Sequence, residues 1–509
     1  MESWHIIVGI VFAYAAFILV IGSGKWTQGG RIAMDDYFKV APGFGFLVLY
    51  LGMAGGFHTA FAIPGSMGFY YRHGVAFAAN IMWTVGAPLA VIYFFGARIT
   101  HLGRKFNYVT PTDLLADYFG EGKFRAFISL YILSCCVPLM TANITGPARL
   151  LAGGTEGHIS YLGALAIIGT LVTIYLWRGG MRGLTWTTVV QAVWMFGAVW
   201  AAGIWCLYLL GGNPERLFDA ARETQPELLT LPGPEGLGTM QWWLSFPLSI
   251  ALHWAILPRA FLFFYSARDA KTVRKIGLTL GFYLMLMYVP ALIIGFTARA
   301  FFPDLPGSEA DQSFPLLLAQ YAPAWFAGII VAGGLAAGMS SLDADTHANA
   351  AMMTKDIYKG FKPNAPDAHY VKVGRVFIVA LVVLTVSVAT RDWGLVVLMV
   401  GLAASMITQL IPALLAVTLP MKTQFTKAGV TAGIVVGLIV SLATRFYPIF
   451  GVDPAVWGVA ANVPVALIVS RFSSPPDPAN VARIRNALAE EFGSLARRAA
   501  SQAPVPGQS

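Results

Sequence analysis

A chain that repeatedly crosses a bilayer has few folds open to it, because in lipid every backbone polar group must be satisfied within the protein. Apolar runs of crossing length recur here at residues 5 to 22, 44 to 70, 76 to 97, 126 to 146, 159 to 177, 184 to 210, 242 to 265, 277 to 298, 314 to 352, 373 to 390, 394 to 419, 428 to 444 and 455 to 470. Each is close to or above the roughly 20 residues that span about 30 Å of hydrocarbon, which predicts about thirteen transmembrane helices. None alternates in polarity as a barrel strand does. Composition agrees, with 57% hydrophobic and only 12% charged residues, against about 25% charged in soluble domains. The expected class is an all-α polytopic membrane protein, with the lipid bilayer as its first partner.

The formal net charge of +9 fits either a nucleic-acid partner or membrane orientation, and its distribution separates the two. With the amino terminus placed outside, 26 of the 34 Lys and Arg residues fall on inside loops and the tail, seven fall outside, and Arg259 lies within a span. That is the positive-inside pattern. It predicts an odd number of spans and a cytoplasmic carboxyl terminus, and no nucleic-acid partner is needed. The expected localisation is the plasma membrane, in a bacterium the inner membrane. The first span, opening MESWHIIVG without a basic flank, is not read as a cleaved signal peptide. Cys135, Cys136 and Cys206 lie in apolar runs without metal-type spacing and are read as packing residues.

Most loops are short, which leaves no room for a catalytic domain, and the chain is not expected to be an enzyme. The longest outside connection, Gly211 to Gln241, reads as a surface cap with an amphipathic stretch from Pro214 to Thr224. After SSPPDP, Ala479 to Ala500 reads as a charged amphipathic helix, and SQAPVPGQS as disordered. No G-x-x-x-x-G-K-[ST] occurs, so ATP-driven transport would need a partner protein.

Polar residues inside the spans carry the functional signal. Residues 331 to 359, VAGGLAAGMSSLDADTHANAAMMTKDIYK, place Ser340, Ser341, Asp343 and Asp345 in a helix otherwise read as buried in the membrane. A central Asp costs roughly 2.5–3.5 kcal/mol there, so these carboxylates should face protein or a wet cavity. The hydroxyls of Ser340 and Ser341 diverge by about 100° on a helix, so they reach one ion only if a neighbouring element closes the site. Two spans look discontinuous: GMAGGFHTAFAIPGSMG (52 to 68) and PLSIALHWAILPR (247 to 259). Each opens a block of five spans, and paired broken helices point to an inverted-repeat transporter whose freed carbonyls can hold a cation.

Five motifs, in order along the chain, resemble the sodium:solute symporter family. AGGFHTAFAIPGSMGFYYRHG (Ala54 to Gly74) is similar to that family's first core helix, and LGRKFNYVTPTDLLADYFG (Leu102 to Gly120) to its second-to-third loop. GGMRGLTWTTVVQAVWM (Gly179 to Met195) resembles core helix five, LPRAFLFFYSARDAKTVRK (Leu257 to Lys275) the end of core helix six, and LAAGMSSLDADTHANAAMMTKDIYK the signature helix. The resemblance covers about residues 5 to 470. It implies a five-plus-five inverted-repeat (LeuT-like) transporter fold: an extra helix at 5 to 22, a first repeat at 44 to 210, a second at 242 to 419 and two final helices at 428 to 470. A transmembrane domain over 1 to 472 would precede a cytoplasmic tail at 473 to 509.

The resemblance also implies a sodium site made by the carbonyls of Gly55, His58 and Ala337 and the hydroxyls of Ser340 and Ser341. Sodium is a hard cation that takes about five or six oxygens, which this set supplies without charge. Sodium would act as coupling ion, with no other cofactor. Asp343 matches an acid common in the family helix and is expected to be structural. Two departures stand out. Where many sodium-coupled members carry W-T-D, this chain has Trp186, Thr187 and Thr188, which favours one coupling ion and leaves proton coupling open through His58. Where the family often has P-H with an Arg four residues on, Arg259 directly follows Pro258 and Phe263 stands in the later position.

Arg259 inside a span calls for a carboxylate partner, from the substrate or from the protein. The helix wording is similar to the monocarboxylate and acetate permease branch. The expected function is therefore cation-coupled uptake of a small organic anion, a monocarboxylate, with Phe57, Thr59, Trp254 and Arg259 in the pocket. The alternatives are proton- or sodium-coupled transport of an amino acid, sugar or vitamin, and a transporter-like sensor. The sequence does not define an oligomeric state.

Overall fold

A computed structural model describes residues 2–23, 34–39, 43–391, 396–419 and 425–501. Lys25, Arg31 and Lys422, counted above among the basic loop residues, lie outside the described residues, as do the start of the span read at 394 to 419 and residues 502–509 of the end read as disordered, whose first residue, Ser501, closes the last helix. The described residues fold into helices α1 (Ser3–Ser23), α2 (Phe46–Phe57), α3 (Ser66–His73), α4 (Val75–Lys105), α5 (Pro111–Phe119), α6 (Lys123–Gly154), α7 (Tyr161–Leu209), α8 (Met240–Ile256), α9 (Pro258–Tyr265), α10 (Ala270–Phe301), α11 (Ser313–Tyr321), α12 (Ala324–Met352), α13 (Asp367–Ala389), α14 (Val396–Thr418), α15 (Lys427–Phe446), α16 (Pro454–Arg471) and α17 (Pro478–Ser501). The extended pairing among them is one bridge, Phe44 with Ala267.

Ten helices among the described residues are long and apolar enough to cross a membrane, and α8 with α9, bent by 53°, gives an eleventh. The difference from about thirteen expected runs arises in two places. The run at 44 to 70 is split into α2 and α3, each too short to count alone. The runs at 159 to 177 and 184 to 210 are joined within α7 by one non-helical residue, Gly180 (φ 52, ψ −149). A Cβ there would lie 2.7 Å from the Tyr37 ring and 2.8 Å from its carbonyl, so both the positive φ and the contact require glycine. A correction falls on the run at 314 to 352. It is not one helix: Ala322 is extended before Pro323, which separates α11 from α12.

Helix α12 is the core of the bundle. Every residue from Ile330 to Met352 is buried, and α12 packs against α7, α6 and α1. A helix with no amphipathic face is one that proteins enclose on all sides. Small residues permit that enclosure: a Cβ on Gly338 would lie 2.1 Å from Pro147 Cγ and 2.4 Å from the Asn143 carbonyl, so α12 and α6 approach almost backbone to backbone.

The connection from Gly211 to Gln241 folds over one end of the bundle, where Leu217, Ala221 and Leu228 pack on Phe296 of α10. At the other end α17 docks on α4 and α5. His101 Nε2 lies 2.9 Å from the Ala487 carbonyl, Arg483 pairs with Asp117, Lys105 with Glu490, and the Arg274 guanidinium lies 4.9 Å from the Phe492 ring centre.

Close packing at Gly338 yields a stability test. Gly338→Ala is expected to destabilise the protein by about 1–3 kcal/mol through overpacking. Gly9→Ala, inside α1 with nothing within 4 Å of the new Cβ, serves as the control and is expected to hold or raise the thermal midpoint, since alanine favours the helix over glycine.

Candidate functional site

Two interrupted helices face α12. Helix α2 ends at His58, which is extended (φ −75, ψ 116), and the chain resumes as a wide turn over Phe61–Gly65 before α3. Helix α8 ends at Leu257 (φ −58, ψ 128), where Pro258 starts α9. Proline at the first helical position loses no hydrogen bond, so α9 can start cleanly there. The two segments are held together by side chains: Phe263 of α9 lies where a Cβ on Gly56 would meet it at 2.7 Å, and the ring centres of Phe57 and Trp254 lie 4.4 Å apart, tilted by 30°.

The break in α2 leaves carbonyls without helical partners, and α12 answers them with hydroxyls. Ser340 Oγ lies 2.9 Å from the Gly55 carbonyl and 3.0 Å from that of Ala337. Ser341 Oγ lies 3.1 Å from the Gly56 carbonyl and 2.5 Å from that of His58. The six oxygens form two neighbouring groups of three, one at each serine, and each group shares a single hydroxyl proton. Gly55, His58, Ala337, Ser340 and Ser341 come together, and the Gly56 carbonyl joins them, a residue that the sequence reading did not name. The His58 imidazole points elsewhere, with Nδ1 3.2 Å from the Ala54 carbonyl, the ring against Tyr283 and Tyr288, and Nε2 without a partner among the described residues.

A cavity of about 70 Å³ lies beside this cluster. Phe57, Thr59, Trp254 and Arg259 all line it, together with Thr84, His253 and Tyr288. His253 is buried, and its Nδ1 has no partner among the described residues. Its single occurrence in an apolar run gave no direction to read. Arg259, 1% exposed, pairs with Asp345 of α12 at 2.9 Å, so the carboxylate that answers it comes from the protein. Asn143 of α6 steadies that pair: its Nδ2 lies 3.3 Å from the same Asp345 oxygen, and its Oδ1 accepts from the Ala60 N–H at 3.2 Å, just past the α2 break. One polar chain therefore runs from Ala60 through Asn143 and Asp345 to Arg259. Asn143 was missed, although an amide in an apolar span is a signal of its own.

The remaining polar groups divide around α12. Asp343 accepts from the Tyr175 hydroxyl at 3.0 Å. Thr188 is buried, with its hydroxyl donating to the Leu184 carbonyl at 2.7 Å, and it packs against Gly55. At the end of the bundle near α17, Asp113 completes the capping box that Thr110 opens at the start of α5 and receives Lys355 Nζ at 2.7 Å and Arg125 Nη1 at 2.7 Å, while Arg125 also reaches Asp356 at 2.6 Å. Burial pushes the Asp113 carboxyl up, but the charges of Lys355 and Arg125 outweigh it and hold it at about 2.

A closed helical bundle with two interrupted helices meeting at a polar cluster is the architecture of a secondary transporter. The profile of the sodium:solute symporter family matches residues 14–437, and the chain belongs to that family. It is a multi-pass membrane symporter rather than an enzyme, and the family couples solute uptake to sodium. A sodium/pantothenate symporter of Haemophilus influenzae is 29% identical over 70% of this chain and 71% of its own, and that of Escherichia coli 24% identical over 69% and 72%. An uncharacterized symporter of Bacillus subtilis is 26% identical over 77% of each chain. The structure superposes on a Na+-coupled sialic acid symporter with a TM-score of 0.74 and 19% identity, covering 93% of this chain and 98% of that one. That likeness establishes the five-plus-five inverted-repeat fold.

The Asn143 bridge generates a test. Asn143→Ala leaves the Ala60 N–H and an Asp345 oxygen short of partners, and thermal unfolding is expected to register a loss of about 1–3 kcal/mol.

Proposed function

We propose that the protein takes up a small organic carboxylate, a monocarboxylate, together with one sodium ion by alternating access. The observation that carries this reading is the six-oxygen cluster of Gly55, Gly56, His58, Ala337, Ser340 and Ser341. Six neutral oxygens sharing two protons are a donor set suited to a hard monovalent cation, which they hold without the grip of a carboxylate. The serine hydroxyls serve in two ways: as donors they satisfy the carbonyls, and with their protons turned away they add lone pairs to the same centre. Thr188 offers no carboxylate near the cluster, in keeping with a single coupling ion.

The solute half of the reading rests on the cavity. Phe57 and Thr59 flank His58, so one break would supply both cation ligands and solute contacts. Arg259 lines the cavity with a side chain whose guanidinium suits a carboxylate, and Trp254 and Phe57 line it with apolar rings. Pantothenate, the solute in the names of two relatives, carries one carboxylate, and pyruvate and acetate are more compact anions of the same class. In this reading the domain runs over residues 1 to 472 with repeats at 44 to 210 and 242 to 419. The distribution of basic residues supports a cytoplasmic α17 and an outside amino terminus, in this reading in a bacterial inner membrane.

Reconstituted vesicles test the proposal with labelled pyruvate, acetate and pantothenate under imposed sodium or proton gradients. At least one of the three is expected to accumulate with the sodium gradient. The Ser340→Ala, Ser341→Ala double variant is expected to lower sodium-driven uptake by about tenfold or more, a loss of about 1.4 kcal/mol or more of cation binding. Uptake that follows the proton gradient alone would transfer the coupling role to a titrating group such as His58, and full sodium response in the double variant would refute the cluster assignment.

A further inference from the structure

Only one partner of the Arg259–Asp345 pair faces the solute cavity. Arg259 lines it, whereas Asp345 is fully buried behind it on α12, about one helical turn beyond Ser341. Asp345 therefore touches the cavity only through Arg259 and makes no contact with the oxygen cluster. Asn143 donates to the same carboxylate oxygen as Arg259 and ties it to the α2 break at Ala60, two residues from the His58 carbonyl.

The charge bookkeeping of this arrangement is specific. Without Asp345, the Arg259 guanidinium would stand as an uncompensated positive charge next to both sites. It would repel a cation from the cluster and would hold an anion in the cavity with no cation present. With Asp345 in place the pair is neutral, the cluster is built of neutral oxygens, and the cavity together with the cluster carries no charge beyond this pair.

We propose that Asp345 is a charge-balancing residue: by cancelling Arg259 it makes the negative charge of the solute depend on the positive charge of the co-transported cation. This rests on the cation and carboxylate assignments made above. Either ion alone leaves a net charge in a low-dielectric interior, and the two together do not, so each binds more tightly in the presence of the other. The coupling is reciprocal, as linkage requires. Asp345 acts through Arg259 and is a positioning residue rather than a solute contact. His58 of α2 and His253 of α8 stand near the same guanidinium, and Asp343 lies about 200° around α12 from Asp345, bonded to Tyr175. All three are unchanged in the variants below, so the comparison isolates the pair.

The test uses the full-length purified protein at pH 8, above the ordinary range of the two histidines. Sodium chloride is exchanged for choline chloride at constant ionic strength, and sodium affinity is read from radiolabelled sodium binding and from the thermal midpoint. Asp345→Asn is expected to weaken sodium binding by about tenfold or more, within the usual range of coupling between sites. Asp345→Glu keeps the charge and is expected to retain sodium affinity. The double variant Arg259→Gln, Asp345→Asn removes both charges and is expected to return sodium affinity to the wild-type value, which a purely structural role for Asp345 would not do. Wild-type sodium affinity in Asp345→Asn, or a double variant as weak as the single one, overturns the proposal. If Asp345→Asn does not fold, Arg259→Gln alone is compared with the double variant: tighter sodium binding in the single variant supports the proposal, and equal affinity overturns it. A wild-type protein without sodium response overturns the cation-site reading, and this inference with it, before any variant is made.

Discussion

The contact between two serine hydroxyls of α12 and the unpaired carbonyls at the end of α2 is the interaction on which the rest of the structure depends. A helix interrupted inside a membrane protein exposes backbone groups that lipid cannot satisfy. Here the interruption persists because Ser340 and Ser341 answer the carbonyls of Gly55, Gly56 and His58. That answer is possible only if α12 comes within hydrogen-bond distance of α2, which requires its burial from Ile330 to Met352 and its near-backbone contact with α6. The glycines of α12, the glycines of α2 and the serine pair are thus one requirement stated three times in the sequence.

The second break follows the same logic with charge in place of hydroxyls. Arg259 opens α9 directly after the interruption at Leu257, and its guanidinium is matched by Asp345 on the same central helix. Helix α12 therefore serves both breaks, one with neutral oxygens and one with a carboxylate, about one turn apart. At the end of the bundle near α17, Asp113 joins Lys355, just beyond α12, to Arg125 of α6. The helix that holds the site is thereby fixed where it leaves the bundle.

Much of this was legible in the sequence, for identifiable reasons. Apolar run length registers hydrocarbon thickness directly, so most spans could be placed. Glycine or proline within a run marks an interruption, glycines with one proline at 52 to 68 and two prolines at 247 to 259. The five named residues of the oxygen cluster came from a resemblance to family motifs, and the structure gathers them with Gly56. What escaped notice were partnerships. The sequence displays the energetic cost of Asp345 and Arg259 in a span but not that each is the other's answer, because residues 86 positions apart become neighbours only through the fold. Asn143 and His253 gave weak signals for the same reason. The separation of α11 from α12 was hidden because the apolar run continues across Pro323, and the joining of two spans in α7 was hidden because a one-residue connection leaves no polar loop to read.

That one-residue connection has a mechanical consequence. The two arms of α7 meet at Gly180, with Tyr37 packed into the bend, so they resemble callipers with a fixed pivot. One jaw carries Tyr175, which grips Asp343 of α12; the other carries Thr188, which abuts Gly55 of α2. Gly22, at the end of α1, is wedged between them, against Tyr175 on one side and Thr187 on the other. The gauge between the helix that supplies the hydroxyls and the helix that supplies the carbonyls is therefore set from outside the site, and the additional amino-terminal helix is the shim that sets it.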